Sequence, residues 1–260
     1  MRYLTTHELT ELHKDEAHEI LEKCAGKSVR DLFAIKVFNN YFDKSFNDRA
    51  QAKILDLGSA SGVFVSQINQ VGYKNFYGVD VDNYLTQENR RLFKEFRTAD
   101  LSWDKIPWPD DSFQVVTAWC VLPHLENPFN AIREVHRVLA HQGLFIFTAP
   151  HLTSKPSIDY FIKNRDFGSY RGTNNHLVLF TKGVLQKAVL KYFDLLSIEY
   201  HVRPKIFKRG LPGKLRKFVF ELARKVSPDW RKRLEHRWAY NAVFILRKNS
   251  LKNRGVDERR

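Results

Sequence analysis

Cysteine is scarce. Cys24 and Cys120 are the only two in 260 residues, and their separation matches neither a metal site nor a redox pair. That excludes a disulfide framework and makes a reducing cytoplasm the expected location. No apolar run approaches the length that spans a bilayer. The stretch Met1–Glu22 is studded with acids and histidines and lacks the apolar core of a secretory signal. Metal-ligand spacing of His, Cys, Asp or Glu is missing, so no metal is expected. Two phosphate-binding patterns are also missing: G-x-x-x-x-G-K-[ST], which cradles nucleoside triphosphates, and G-x-G-x-x-G, which serves dinucleotides.

Acid is scarce in one region only. Residues 1–200 hold 24 Lys+Arg and 24 Asp+Glu, whereas residues 201–260 hold 19 against 5, so the whole net charge of +14 lies in the last 60 residues. A neutral body with a basic C-terminal end points to an anionic partner: phospholipid, a phosphorylated substrate or nucleic acid. Hydrophobic content of 43% with 28% charged residues is that of a globular chain with one sizeable core.

Residues 8–24 and 29–43 predict helices, with Leu32, Ile35, Val37, Phe38 and Phe42 near helical spacing. From residue 53 onward strands and helices alternate. Strands are predicted at 53–57, 75–81, 113–120 and 144–149, and helices at 61–71, 82–96 and 127–140. This rhythm predicts an α/β fold, a Rossmann-like doubly wound seven-stranded mostly parallel sheet with helices on both faces. Residues 151–180 read as an irregular lid. A helix at 181–192 and strands at 195–202 and 240–247 follow, the strands joined by a basic stretch. The expected organisation is a helical cap at 1–48, a catalytic domain at 49–203 and 239–248, a basic amphipathic insert at 204–238 and a flexible tail at 249–260.

The first strand runs into Gly58-Ser59-Ala60-Ser61-Gly62 and a helix, a unit that lets a ligand approach the backbone closely. Asp80 ends the second strand, where an open α/β sheet places an acceptor for ribose hydroxyls. Capping the next helix is its alternative role. Asp100 falls where a third strand should end and suits the exocyclic amine of an adenine. Asp56, Asp80 and Asp100 thus converge on one crevice, which fits an adenosine carrying a charged, phosphate-free tail.

Asp56-Leu-Gly-Ser-Ala-Ser-Gly62, Gly78-Val-Asp80 and Ala99-Asp-Leu101 resemble the first three motifs of class I S-adenosylmethionine-dependent methyltransferases. The block from Ile106-Pro-Trp-Pro through Val121-Leu-Pro-His124 to Gln142-Gly143 is similar to their type 11 branch, as is Asn175-His176-Leu-Val-Leu-Phe-Thr181. The resemblance covers roughly residues 50–200. It implies S-adenosyl-L-methionine as cofactor, held by Asp56, Gly58, Ser59, Ala60, Gly62, Asp80, Val81, Asp100, Leu101 and Trp119, the Trp119 face suiting a sulfonium. Two positions depart from the pattern: Ala60 replaces the middle glycine of the turn, and Pro123 replaces the acid that commonly precedes the branch's histidine.

A hydroxyl acceptor must lose a proton, and histidine suits that task near neutral pH. His124, His151 and His176 fall at expected strand ends or in the lid. His124 matches the family's position and is the expected base, a loop histidine that hydrogen-bonds the backbone being its alternative role, with His151 and His176 in structural or substrate-contact roles. In the basic stretch, Leu215, Phe218, Val219, Leu222 and Val226 form one helical stripe beside Lys214, Arg216, Lys217, Arg224 and Lys225. That is the composition of a helix lying in a membrane interface, or of one docked on the sheet with a basic outer face. The expected activity is O-methylation of a small or lipid-linked acceptor, sugar or polyprenyl, by a cytoplasmic protein that is peripheral on the inner membrane face. An RNA-modifying methyltransferase and a non-catalytic S-adenosylmethionine-binding protein are the alternatives.

Overall fold

A computed structural model describes residues 29–42, 49–171, 175–203 and 210–249. The helix expected at 8–24 and nearly all of the tail expected at 249–260 lie outside them. Helix α1 (Val29–Phe42) precedes β1 (Lys53–Leu57), α2 (Val63–Asn69) and β2 (Asn75–Asp80). A four-residue helix α3 (Gln87–Arg90), β3 (Phe93–Thr98), β4 (Phe113–Ala118), α4 (Pro128–Val138) and β5 (Leu139–Pro150) follow. The sheet has seven strands in the order β3-β2-β1-β4-β5-β7-β6, where β6 is Phe193–His201 and β7 is Asn241–Lys248. All pairings are parallel except those of β7, which runs antiparallel to both β5 and β6.

Apolar residues cover both faces because neighbouring strand residues point in opposite directions. Leu55 and Leu57 pack with Val116, Phe145, Phe147 and the α4 residues Ile132, Val135 and Val138. Ile54 packs on the other face with Val115, Ile146, α2 (Val65, Ile68) and α1 (Val37, Phe38, Phe42). The chain winds outward from β1 to β3 and then returns to β4, so β1 and β4 flank the topological switch point where such sheets bind ligands.

Several local expectations need correction. The helix predicted over 82–96 is only Gln87–Arg90, started by Thr86, whose side chain accepts from Asn89 N; an irregular stretch precedes it and β3 takes the end from Phe93. β3 is an edge strand, so its Lys94, Glu95 and Arg97 reach solvent, and Phe93 and Phe96 at a three-residue interval mimic a helix. The turn predicted at 141–143 is an irregularity inside β5, with Gln142 at a φ of 60°. The segment 151–180 contains a ten-residue helix, α5 (Lys155–Asn164), capped by Ser154. The helix expected at 181–192 is α6 (Lys182–Val184) followed by a π turn, Leu185–Val189. The basic stretch between β6 and β7 forms two helices, α7 (Gly210–Val226) and α8 (Pro228–Trp238).

Candidate active site

The glycine-rich turn after β1 is shaped by backbone demands. Gly58, Ala60 and Gly62 all have left-handed φ values of 63°, 46° and 79°. A side chain on Gly58 would collide with Val121 Cγ2, and one on Gly62 would meet Asn89 Cβ at 2.8 Å. Ala60 adopts this conformation with a methyl group, a strain the turn tolerates through its hydrogen bonds. Gly58 N donates to Val79 O at 2.8 Å and Gly62 N donates to Ser59 O at 2.8 Å, while Ala60 N donates to Asp80 Oδ2 at 2.8 Å.

Asp80 therefore joins two strand ends. Its second oxygen accepts from Val81 N at 2.8 Å. Asp56 is buried on β1, where it accepts from Thr117 Oγ1 at 2.7 Å, and Ser59 Oγ donates to its main-chain oxygen. Burial pushes the Asp56 carboxyl up to about 7, with the Asp80 charge adding to the rise, and pushes Asp80 up to about 6. No cation among the described residues offsets either shift. Each carboxylate oxygen retains acceptor capacity. Such a pair favours a positively charged, hydrogen-bond-donating ligand.

Asp100 and Leu101 follow β3. Ala99 N donates to Asp80 O at 2.9 Å, which ties this loop to the end of β2, and Asp100 accepts from Ser102 N. Trp119 follows β4, its ring 5.1 Å from that of Phe64, and its buried Nε1 has no partner among the described residues. An adenosine with a cationic amino-acid tail fits this donor and acceptor set.

His124 closes the short 3₁₀ turn Leu122–His124 beyond β4. His124 Nδ1 lies 3.3 Å from Asn175 O and its ring is 4.3 Å from that of His176. A carbonyl can only accept, so Nδ1 carries the proton and Nε2 carries the lone pair. His176 Nδ1 bonds Ser169 O in the same way. Burial and the neighbouring His176 hold His124 down at about 4, and burial also lowers His176. Pro123, one of the two departures noted above, accepts from both Leu177 N and Val178 N through its carbonyl, and this pins the His176 segment onto the His124 turn.

His151 is placed elsewhere. Its Nε2 lies 3.0 Å from His236 O, and its ring packs with those of Tyr200 and His236. Thr117, Val121, Asn89 and Tyr170 belong to the site's surroundings without any sequence signal that marked them. Asn89 donates to Ser61 O at 2.7 Å beneath the turn, and the Tyr170 ring is 5.3 Å from that of His176. Among the described residues, no group of His, Cys, Asp and Glu could hold a metal, and no helix is long and apolar enough to cross a membrane.

Residues 55–147 match the family model described as "Methyltransferase domain". An uncharacterized methyltransferase, YcgJ, of Bacillus subtilis is 25% identical over 126 residues, which is 46% of this chain and 49% of that protein. A sarcosine/dimethylglycine N-methyltransferase of Aphanothece halophytica is 26% identical over 129 residues, 46% of each chain. The match thus spans about half the length of these curated relatives. Among solved structures, the [4+2]-cyclase SpnF superposes with a TM-score of 0.60 at 16% identity, covering 95% of this chain and 98% of its own, which concerns the fold alone. Over residues 55–147 the chain is thus similar to S-adenosylmethionine-dependent methyltransferases of the type 11 branch.

Proposed function

We propose that the protein transfers a methyl group from S-adenosylmethionine to a hydroxyl of a small or lipid-linked acceptor, such as a sugar or a polyprenyl intermediate. The observation that carries the reading is the meeting, beyond the C-terminal ends of β1, β2 and β4, of two buried carboxylates that no cation among the described residues offsets and two imidazoles whose Nδ1 atoms bond backbone carbonyls. Asp80 accepts from the ribose hydroxyls, Asp100 and Leu101 border the adenine, and Asp56 with the Gly58–Gly62 turn holds the cationic amino-acid end. Val81 and Ser59 support these positions, and Trp119 supplies an aromatic face and a free N–H. When bound, the cofactor presents an electrophilic methyl group on a sulfonium, and in-line placement supplies most of the acceleration.

His124 accepts the acceptor's hydroxyl proton at Nε2 while the Asn175 carbonyl holds Nδ1–H. With its imidazolium near pKa 4 it is neutral at working pH but a weak base, so its contribution falls at the lower end of general-base effects. His176 lines the acceptor side next to it. His151 would have to leave the His236 carbonyl to reach an acceptor, so its role here is structural. Methyl transfer to extracted lipids, sugars and RNA from labelled cofactor tests the acceptor class. His124→Ala should lower turnover by about 10²-fold and leave adenosylhomocysteine affinity within about twofold. Near-normal turnover would remove His124 from the chemistry, and transfer to RNA alone would overturn the acceptor class.

A further inference from the structure

Helix α7 packs against the protein with one face and leaves a second, apolar face uncovered. Ala223 is buried on it, Val219 and Phe220 are half-buried, and Arg216 lies over the Trp238 ring at 5.1 Å. Leu215, Phe218, Leu222 and Val226 are 61%, 64%, 40% and 65% exposed. Their spacing of three, four and four residues aligns them along one line of the helix. The stripe read from sequence therefore divides: Val219 serves packing, and the other four face outward. Lys214, Lys217 and Lys225 are exposed on the flank of this line.

The cationic character continues into α8. Arg233 and Arg237 form no ion pair among the described residues, and with Ile158, His236 and the ion-paired Lys155 and Asp159 they line a cleft of about 510 Å³ between α5 and α8. On α5, Ile158, Phe161 and Ile162 are exposed as well. Four large apolar side chains in a row are a costly surface to leave in water, and a basic flank selects what covers them.

We propose that α7 seats the protein on an anionic lipid bilayer, with Leu215, Phe218, Leu222 and Val226 entering the headgroup–acyl boundary and Lys214, Lys217 and Lys225 contacting lipid phosphates. The charge argues against a second copy as occupant, because stripe-to-stripe pairing would bring these lysines against their duplicates in the region that carries the whole +14 excess. The stripe argues against RNA, which offers phosphates and base faces but nothing for four solvated apolar side chains.

Co-sedimentation of the full chain with vesicles tests this, using phosphatidylcholine alone and phosphatidylcholine mixed with phosphatidylglycerol. Binding is expected only to the mixed vesicles and should weaken as salt rises. The double variant Phe218→Glu with Leu222→Glu should reduce it at least tenfold, about the loss that removing two apolar anchors implies. Adenosylhomocysteine affinity and far-ultraviolet circular dichroism should stay unchanged. The triple variant Lys214→Gln, Lys217→Gln, Lys225→Gln leaves the stripe intact and should likewise weaken binding, with a shallower salt dependence. Four results would overturn the proposal: equal binding to neutral vesicles, a double variant that unfolds, a wild-type dimer that the double variant makes monomeric, or tRNA binding without vesicle binding.

Discussion

At the scale of single residues, the site's most consequential feature is the pair Asp56 and Asp80, which no cation among the described residues neutralises. A folded pKa raised above the unfolded value means that the fold favours the protonated acid. The free protein therefore loses stability as pH rises from the unfolded value of 3.8 through about 7. A cationic ligand that donates hydrogen bonds reverses this preference, so binding should release protons. Affinity for S-adenosylmethionine is expected to rise at least about tenfold between about pH 5 and about pH 8, with proton release visible in calorimetry run in buffers of different ionisation enthalpy. Asp80→Asn should flatten the profile around about pH 6 and weaken binding by at least about tenfold, through lost charge-assisted hydrogen bonds. A pH-independent affinity in the wild type would separate these acids from the ligand. The positions of the three acids were legible because each falls at or just past the end of a strand. Thr117 and Val121 were not, because a threonine inside a strand and a valine in a loop carry no signal until β1 and β4 are paired and Val121 comes to lie over Gly58.

At the scale of elements, what the sequence disclosed follows from burial. β1, β4 and β5 are covered on both faces, so they read as continuous apolar runs, and α4 declared itself by its one-sided pattern. β3 was hidden because an edge strand tolerates the polar residues of a helix surface. The π turn after α6 has no sequence signature of its own. The loop elements of the site depend on close approach, and this is testable at Gly58. Gly58→Ala would place a methyl against Val121 at a φ that alanine resists, so it should destabilise the protein by about 1–3 kcal/mol in urea unfolding. Adding Val121→Ala removes the clash but not the backbone strain, so it should recover part of that loss after the cost of Val121→Ala alone is subtracted. No recovery would mean that φ alone sets the demand. The His124 turn likewise depends on the Pro123 carbonyl holding residues 177 and 178, a role that the proline at this position leaves free because it concerns the carbonyl rather than the absent N–H.

At the scale of the whole molecule, charge and burial divide the chain in the same place. The seven-stranded body buries both faces of its sheet, whereas α7 contributes Ala223 to the interior and α8 has no buried residue among its positions. The two helices leave and rejoin the sheet at one point: β6 and β7 are antiparallel neighbours, their register closes at His201 with Asn241, and Tyr240 N donates to His201 O at 2.8 Å. A short turn can therefore connect the strands directly. Replacing residues 204–238 by a tight Asn-Gly connection should leave the sheet folded, because little apolar surface is removed with the helices. The losses are the His236 contacts with His151 and Tyr200 and the packing of α8 on α5 and β6. Against a domain of this size these should lower the melting temperature by only a few degrees, roughly 2–4 °C per kcal/mol lost. Affinity for adenosylhomocysteine should stay within about twofold, since Asp56, Asp80 and the turn lie at the ends of β1 and β2. Attraction to anionic vesicles should disappear with the basic residues. A shortened protein that fails to fold, or that binds cofactor poorly, would show that α7 and α8 complete the catalytic body instead of extending it.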